Sequence, residues 1–229
     1  MKLEILGAEI RRWGWTRGLF KGLMLCLRRY AGLHVYRVSL QPFAQRPVAP
    51  ELPGGITLRL VPPRKLLEAA VEPELELDPH FVRAAAARGD VAFGAFDGDR
   101  LVGYVWGTFT TAPDEEGLWV RVDRPCHYAY KAFTLPPYRG KRIHVALSLL
   151  CNQHFRERGY TAVVAFNEIS NFSIIAVAGL MGRRRIGFAG YVKWFGRAIP
   201  FRTPGLKKIG FEFFDPSRSG GELSWYQHD

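Results

Sequence analysis

Between residues 134 and 182 the spacing of apolar positions changes from one element to the next. Ile143, Ala146, Leu147, Leu150, Cys151 and Phe155 recur at helical intervals and predict a helix over 143–158. Pro136, Pro137 and Gly140 end a strand before it, and Gly159 after it suits the left-handed residue that closes a helix. Residues 160–166 form a continuous, partly β-branched apolar run, the pattern of a buried strand. A strand, a crossover helix and a second buried strand make a parallel pair. Asn171 then opens another helix.

The remaining chain reads as antiparallel strands and short helices. Residues 91–96 and 101–110 flank Asp97-Gly98-Asp99, a hairpin signal. Pro63 starts one short helix, and Asp78 caps a second that runs to Arg88. Further strands are predicted at 33–40, 56–61, 118–122, 126–135, 185–195 and 208–214. The prolines and glycines of 41–55 read as a linker, and 215–229 as a polar tail. The expected division is therefore a basic N-terminal extension over 1–54 and a catalytic domain over 55–229, with its first strand at 56–61.

Residues 1–32 differ from the rest. Apolar positions 19, 23, 26, 27 and 30 keep helical spacing, while Arg17, Lys21 and Arg28 share another face. The apolar run is too short to span a bilayer, and Lys21 interrupts it as a signal sequence. Such a helix either packs its apolar face on the domain or lies on an anionic membrane.

The chain has 229 residues, 48% of them apolar, enough for a sizeable core. The net charge of +11 suits phosphate-rich small molecules, anionic lipid or nucleic acid. No zinc-finger, helix-turn-helix or RNP pattern is present, so no nucleic acid partner is expected. The three cysteines have no paired spacing, which favours a reducing compartment, and the histidines and cysteines lack metal-ligand spacing. No metal is expected. A cytoplasmic location follows, with peripheral attachment at the inner membrane as the second reading.

The turn at 138–144 collects Arg139, Lys141 and Arg142 at the start of a helix. Its first N–H groups lack intrahelical acceptors and its dipole is positive there, which makes a phosphate site. The segment Thr134, Pro136, Arg139, Gly140, Lys141, Ile143 resembles motif A of the GNAT acyltransferase superfamily, V-x-P-x-x-R-G-x-G-x-G/A. In that family an Asn follows the next strand and Gly-Phe comes eleven residues later, the separation of Asn171 and Gly182. The sequence departs from the pattern at four places. Arg142 and His144 stand where a small residue is usual, Ala178 replaces a general-acid Tyr, and Arg183 replaces the Phe of Gly-Phe.

The resemblance implies a mixed α/β, mostly antiparallel sheet with a central, splayed parallel pair, flanking helices and a helical N-terminal extension. It implies N-acyl transfer from an acyl-coenzyme A, acetyl-CoA above all, to a small-molecule or peptide amine by direct attack in a ternary complex. The amides of Arg139, Gly140, Lys141, Arg142, Ile143 and His144 would hold the pyrophosphate. Backbone groups of Phe133, Thr134 and Leu135 would pair with the thioester arm, and Asn171 and Ser173 would meet it from the other side. For proton transfer the sequence offers Tyr130 at the strand end and Glu168 past the next strand, each also readable as an ordinary structural residue. Strand alternation places Tyr128 and Tyr130 on one face and His127 and Lys131 on the other. Loops at 72–80, 111–117 and 196–207 are expected to build the acceptor site. Two other readings remain: transfer from an acyl-carrier protein or to a lipid, with residues 1–32 docking the carrier or membrane, and a non-catalytic acyl-CoA sensor.

Overall fold

The computed structural model describes residue 10 and residues 14–43, 49–114 and 117–217. Arg11, Arg12 and Trp13 of the basic N-terminus, and the expected polar tail from residue 218 onward, lie outside the described residues.

In chain order the elements are α1 (Trp15–Ala31), β1 (Leu33–Pro42), β2 (Ile56–Val61), α2 (Pro63–Ala69), α3 (Pro79–Ala87), β3 (Val91–Asp97), β4 (Arg100–Thr108), β5 (Thr111–Pro113) and β6 (Trp119–Arg121). There follow β7 (Cys126–Thr134), α4 (Ile143–Glu157), β8 (Ala162–Glu168), α5 (Phe172–Leu180), β9 (Arg184–Trp194), β10 (Arg197–Arg202), α6 (Pro204–Lys207) and β11 (Glu212–Phe214). Eight strands form one sheet in the order β10-β9-β1-β8-β7-β4-β3-β2, and β11-β6-β5 form a second. Among the described residues, only β7 and β8 pair in parallel. The architecture is mixed α/β with a mostly antiparallel sheet, a central parallel pair and flanking helices.

Local chemistry accounts for several boundaries. The Asp78 carboxylate accepts the His80 N–H at 2.9 Å and starts α3, with Pro79 next. Gly98, at φ +58, turns the β3–β4 hairpin. On one sheet face Phe155 of α4 stacks on His127 with ring centroids 3.9 Å apart. A Cβ at Gly107 would come 2.9 Å from Cys151 Sγ, so the glycine is what lets α4 lie close to β4. On the other face Phe81 of α3 meets Trp106 edge-on, and Phe213 of the small sheet packs against Tyr36 and Phe166. The core thus lies on both sides of the large sheet.

Three expectations change. First, β1 is not outside the main sheet. It lies between β8 and β9, antiparallel to both, so the sheet begins at residue 33 and the division expected at 54/55 has strands of one sheet on each side. Second, 196–207 is not an open loop. It contains the edge strand β10 and the short helix α6, and the final strand shrinks to Glu212–Phe214. Third, Lys131 is not on the His127 face. Trp106 pairs with Tyr130 and Tyr104 with Phe133, so Lys131 and Ala132 together oppose Val105 in a β-bulge. Lys131, at φ +41, brings its Nζ to 4.5 Å from the Phe81 ring, which Tyr130 also meets.

No described helix is long and apolar enough to cross a membrane.

Candidate functional site

The bulge explains the shape of the sheet centre. β7 and β8 are in parallel register only at Cys126–Tyr128 against Ala162–Val164. Beyond Tyr128, β7 bends at Lys131 and continues to Thr134, while β8 runs on to Glu168 beside β1. The two strands therefore open a gap toward their C-terminal ends, with a bulge at its hinge.

The basic turn closes one end of that gap. Gly140 has φ +77, with open space where a side chain would be, and Arg142 is also left-handed at φ +59. Left-handed residues in a turn of this kind can direct neighbouring N–H groups toward an anion. Arg142 is the N-cap of α4, and no side chain caps the helix. The first-turn N–H groups of Ile143, His144 and Val145 thus lack the side-chain acceptor that most helix starts carry. Ile143 itself is buried in the core, so only its backbone serves this turn.

The other residues of the turn have defined partners. Arg139 Nε donates to the Thr134 carbonyl at 3.0 Å and its guanidinium lies over the Phe133 ring. Lys141 Nζ sits 5.0 Å from the Tyr138 ring, and the Tyr138 hydroxyl donates to Asp97 at 2.7 Å. Leu135 is less open than the sequence suggests. Its N–H donates to Val102 and its carbonyl accepts from Tyr138, both at 2.9 Å. Phe133 and Thr134 pair with Tyr104 and Gly103 of β4, and the Thr134 carbonyl also accepts from Arg139.

His144 is held neutral, but not chiefly by the helix dipole. Burial, and then the neighbouring Arg183 guanidinium, push it down to about 4. Arg183 is itself largely buried, with a lowered pKa and a buried Nε that has no hydrogen-bond partner. The sequence marked Arg183 only as a departure from Gly-Phe; the structure makes it a second cation behind the turn.

Across the gap, Asn171 Oδ1 accepts the Ile174 N–H at 3.3 Å and its carbonyl accepts the Ile175 N–H at 3.1 Å. Asn171 is thus an N-cap of α5, with Ser173 in the first turn. Glu168 at the end of β8 is bound by Arg28 Nη1 of α1, a partner that no local pattern could reveal. Tyr130 donates its hydroxyl to Asp90 at 2.6 Å and lies 3.3 Å from Arg88 Nη2, while Arg88 and Asp90 also pair directly. Burial, with the Asp90 carboxylate next, raises the Tyr130 pKa well above the usual phenol.

No family model matches the sequence, and no curated protein matches it. Solved structures do. A Drosophila structural-genomics protein matches with TM-score 0.52 and 12% identity, over 78% of this chain and 57% of its own. A GCN5-related N-acetyltransferase from Sphaerobacter thermophilus matches with TM-score 0.48 and 19% identity, over 80% of this chain and 55% of its own. A tandem GNAT protein of the clavulanic acid pathway matches with TM-score 0.49 and 16% identity, over 71% and 55%. The chain thus spans little more than half the length of these structures. It is similar in fold to the Drosophila protein.

Proposed function

We propose that this chain is a GNAT-type N-acyltransferase that takes its acyl group from acyl-coenzyme A, acetyl-CoA being the first candidate. The observation that carries the reading is the bulged, opening β7–β8 pair with the uncapped start of α4 at its mouth. A coenzyme A thioester has both matching parts: a pyrophosphate for helix N–H groups, and an extended amide-bearing arm for strand edges. Arg139, Lys141 and Arg142 add positive charge at the pyrophosphate end. Phe133 and Thr134 offer the arm a strand edge, and Asn171 and Ser173 stand opposite.

The reaction needs an amine that loses a proton and a thiolate that gains one. Glu168, at the end of β8, is the proposed proton acceptor, released from Arg28 when the amine arrives. Tyr130 is the proposed donor, although its Asp90 bond and raised pKa make it reluctant. Tyr130→Phe and Glu168→Gln separate these roles: a proton-transfer group lowers kcat, a structural one leaves it unchanged. The acceptor amine belongs to the same proposal without further definition.

Saturating acetyl-CoA should raise the melting temperature, since it binds only the folded chain. Amine-dependent release of free thiol should follow with a panel of small amines and peptides. Stabilisation without thiol release would leave the sensor reading. A demand for loaded acyl-carrier protein would replace coenzyme A as the donor.

His144 makes the binding pH-dependent. Its free-state value is about 4, and an adjacent pyrophosphate raises it in the complex. Binding then takes up a proton. Affinity should be highest at acid pH and fall as pH rises through the bound-state value, becoming flat above it. Titrations across that range should show the slope in the wild type and not in His144→Ala. Identical profiles would remove the imidazole from the phosphate site.

A further inference from the structure

Helix α1 meets the body through Arg28, Phe20 and two glycines and leaves a stripe of apolar side chains in water. Arg28 binds Glu168, Arg17 lies 5.5 Å from the Phe172 ring, and Phe20 also packs on Phe172. Gly18 and Gly22 are buried. The opposite stripe of Trp15, Leu19, Leu23, Cys26 and Tyr30 repeats at intervals of three and four. Trp15 is 70% exposed, Leu19 59%, Leu23 55% and Tyr30 85%, and Cys26 is exposed as well.

A second apolar surface adjoins it. The β9–β10 turn presents Trp194, Phe195 at 89% exposure, and Ile199. This turn is fixed to the end of α1. Lys193 N–H donates to the Gly32 carbonyl at 2.9 Å, and a Cβ at Gly32 would lie 2.7 Å from the Lys193 carbonyl oxygen. The hairpin tip is therefore held at the C-terminal end of α1, next to the Tyr30 end of the stripe.

The charge around that face has one sign. Arg29, Lys193 and Arg197 are exposed beside Tyr30 and the turn, and residues 15–31 and 184–202 contain no Asp or Glu. A second copy docked on this face through a two-fold contact would set like charges against each other. An anionic bilayer would not. Trp and Tyr at the rim of an apolar stripe suit the headgroup level, and Leu and Phe suit the acyl boundary beneath it.

We propose that α1 and the β9–β10 turn together form a docking face for an anionic lipid bilayer. The face stands independently of the acyltransferase reading, and its failure would leave that reading intact. Glu168 and Phe172 meet the body side of α1, so the helix lies between them and the docked surface.

The test uses the full chain and sedimentation with vesicles. Vesicles of phosphatidylcholine with phosphatidylglycerol are compared with phosphatidylcholine alone. The wild type should bind the anionic vesicles, less so in high salt, because surface charges are screened. Leu19→Glu with Leu23→Glu changes two exposed side chains and should weaken binding by roughly tenfold or more, through lost apolar burial and added repulsion. Phe195→Ser, on a separate element, should weaken it several-fold with the same melting temperature as wild type. Three results would overturn the proposal. One is wild-type protein left in the supernatant at low salt, and another is equal binding by the variants. The third is a concentration-dependent dimer, abolished by the Leu19/Leu23 changes, in protein that ignores vesicles.

Discussion

Gly140→Asp is expected to lower acetyl-CoA affinity by about a hundredfold, roughly 2.7 kcal/mol. Gly140 is left-handed at φ +77, and no atom lies within 4 Å of a Cβ built there, so the new side chain has room. What changes is charge: a carboxylate stands where a pyrophosphate would approach uncapped N–H groups. Gly140→Ala is the control. It shares the left-handed strain, about 1–2 kcal/mol, but not the charge. Affinity should fall far less in Gly140→Ala than in Gly140→Asp when both are titrated as folded protein. Equal and small effects would make the turn purely structural. Equal and large effects would mean that backbone shape, not charge, governs the site.

Gly190→Ala should cost about 3 kcal/mol of stability or more, at the upper end for overpacking. A Cβ at Gly190 would overlap the His34 carbonyl oxygen of β1, and would lie 3.0 Å from the His34 carbonyl carbon and 2.9 Å from Phe201 Cζ. Backbone cannot rotate aside as a side chain does, so the β1–β9 ladder must part. Gly196→Ala gives the contrast. Gly196 is left-handed at φ +72 with nothing within 4 Å, so only conformational strain is expected there. Urea unfolding of both variants measures the difference. If Gly190→Ala were no worse than Gly196→Ala, β1 would not lie against β9.

The same strand shows where sequence reasoning stops. The helix at 143–157, the buried strand after it and the hairpin at 91–108 were legible because their patterns are local. So were the caps, where Asp78 and Asn171 reach N–H groups two and three residues away. The place of β1 was not, because its partners are residues 162–168 and 184–192, far along the chain. Neighbouring strands are usually consecutive, and here they are not. Pro200 hid β10 for a related reason: proline is excluded from central strands but accepted at an edge, and β10 is the edge.

Of the proposed site, the turn was legible in the sequence and its surroundings were not. Gly140 and the basic residues beside it mark the start of α4, the proposed pyrophosphate site. Nothing local announces that Lys131 takes a positive φ and bends β7, since a non-glycine residue there is uncommon. The Asp90 partner of Tyr130 and the Arg28 partner of Glu168 come from remote elements. In α1 the period of the apolar stripe could be read, but not its direction. A stripe that faces water and one that faces a core have the same spacing.

Acetyl-CoA binding in the β7–β8 gap is tested most directly by titrating acetyl-CoA into isotopically labelled full-length chain and following backbone amide resonances. Saturable shifts should concentrate at Phe133 and Thr134, at residues 139–145, and at Asn171 and Ser173, with a single dissociation constant. An absence of shifts at millimolar acetyl-CoA, or shifts confined to a surface away from the start of α4 and the ends of β7 and β8, would contradict it.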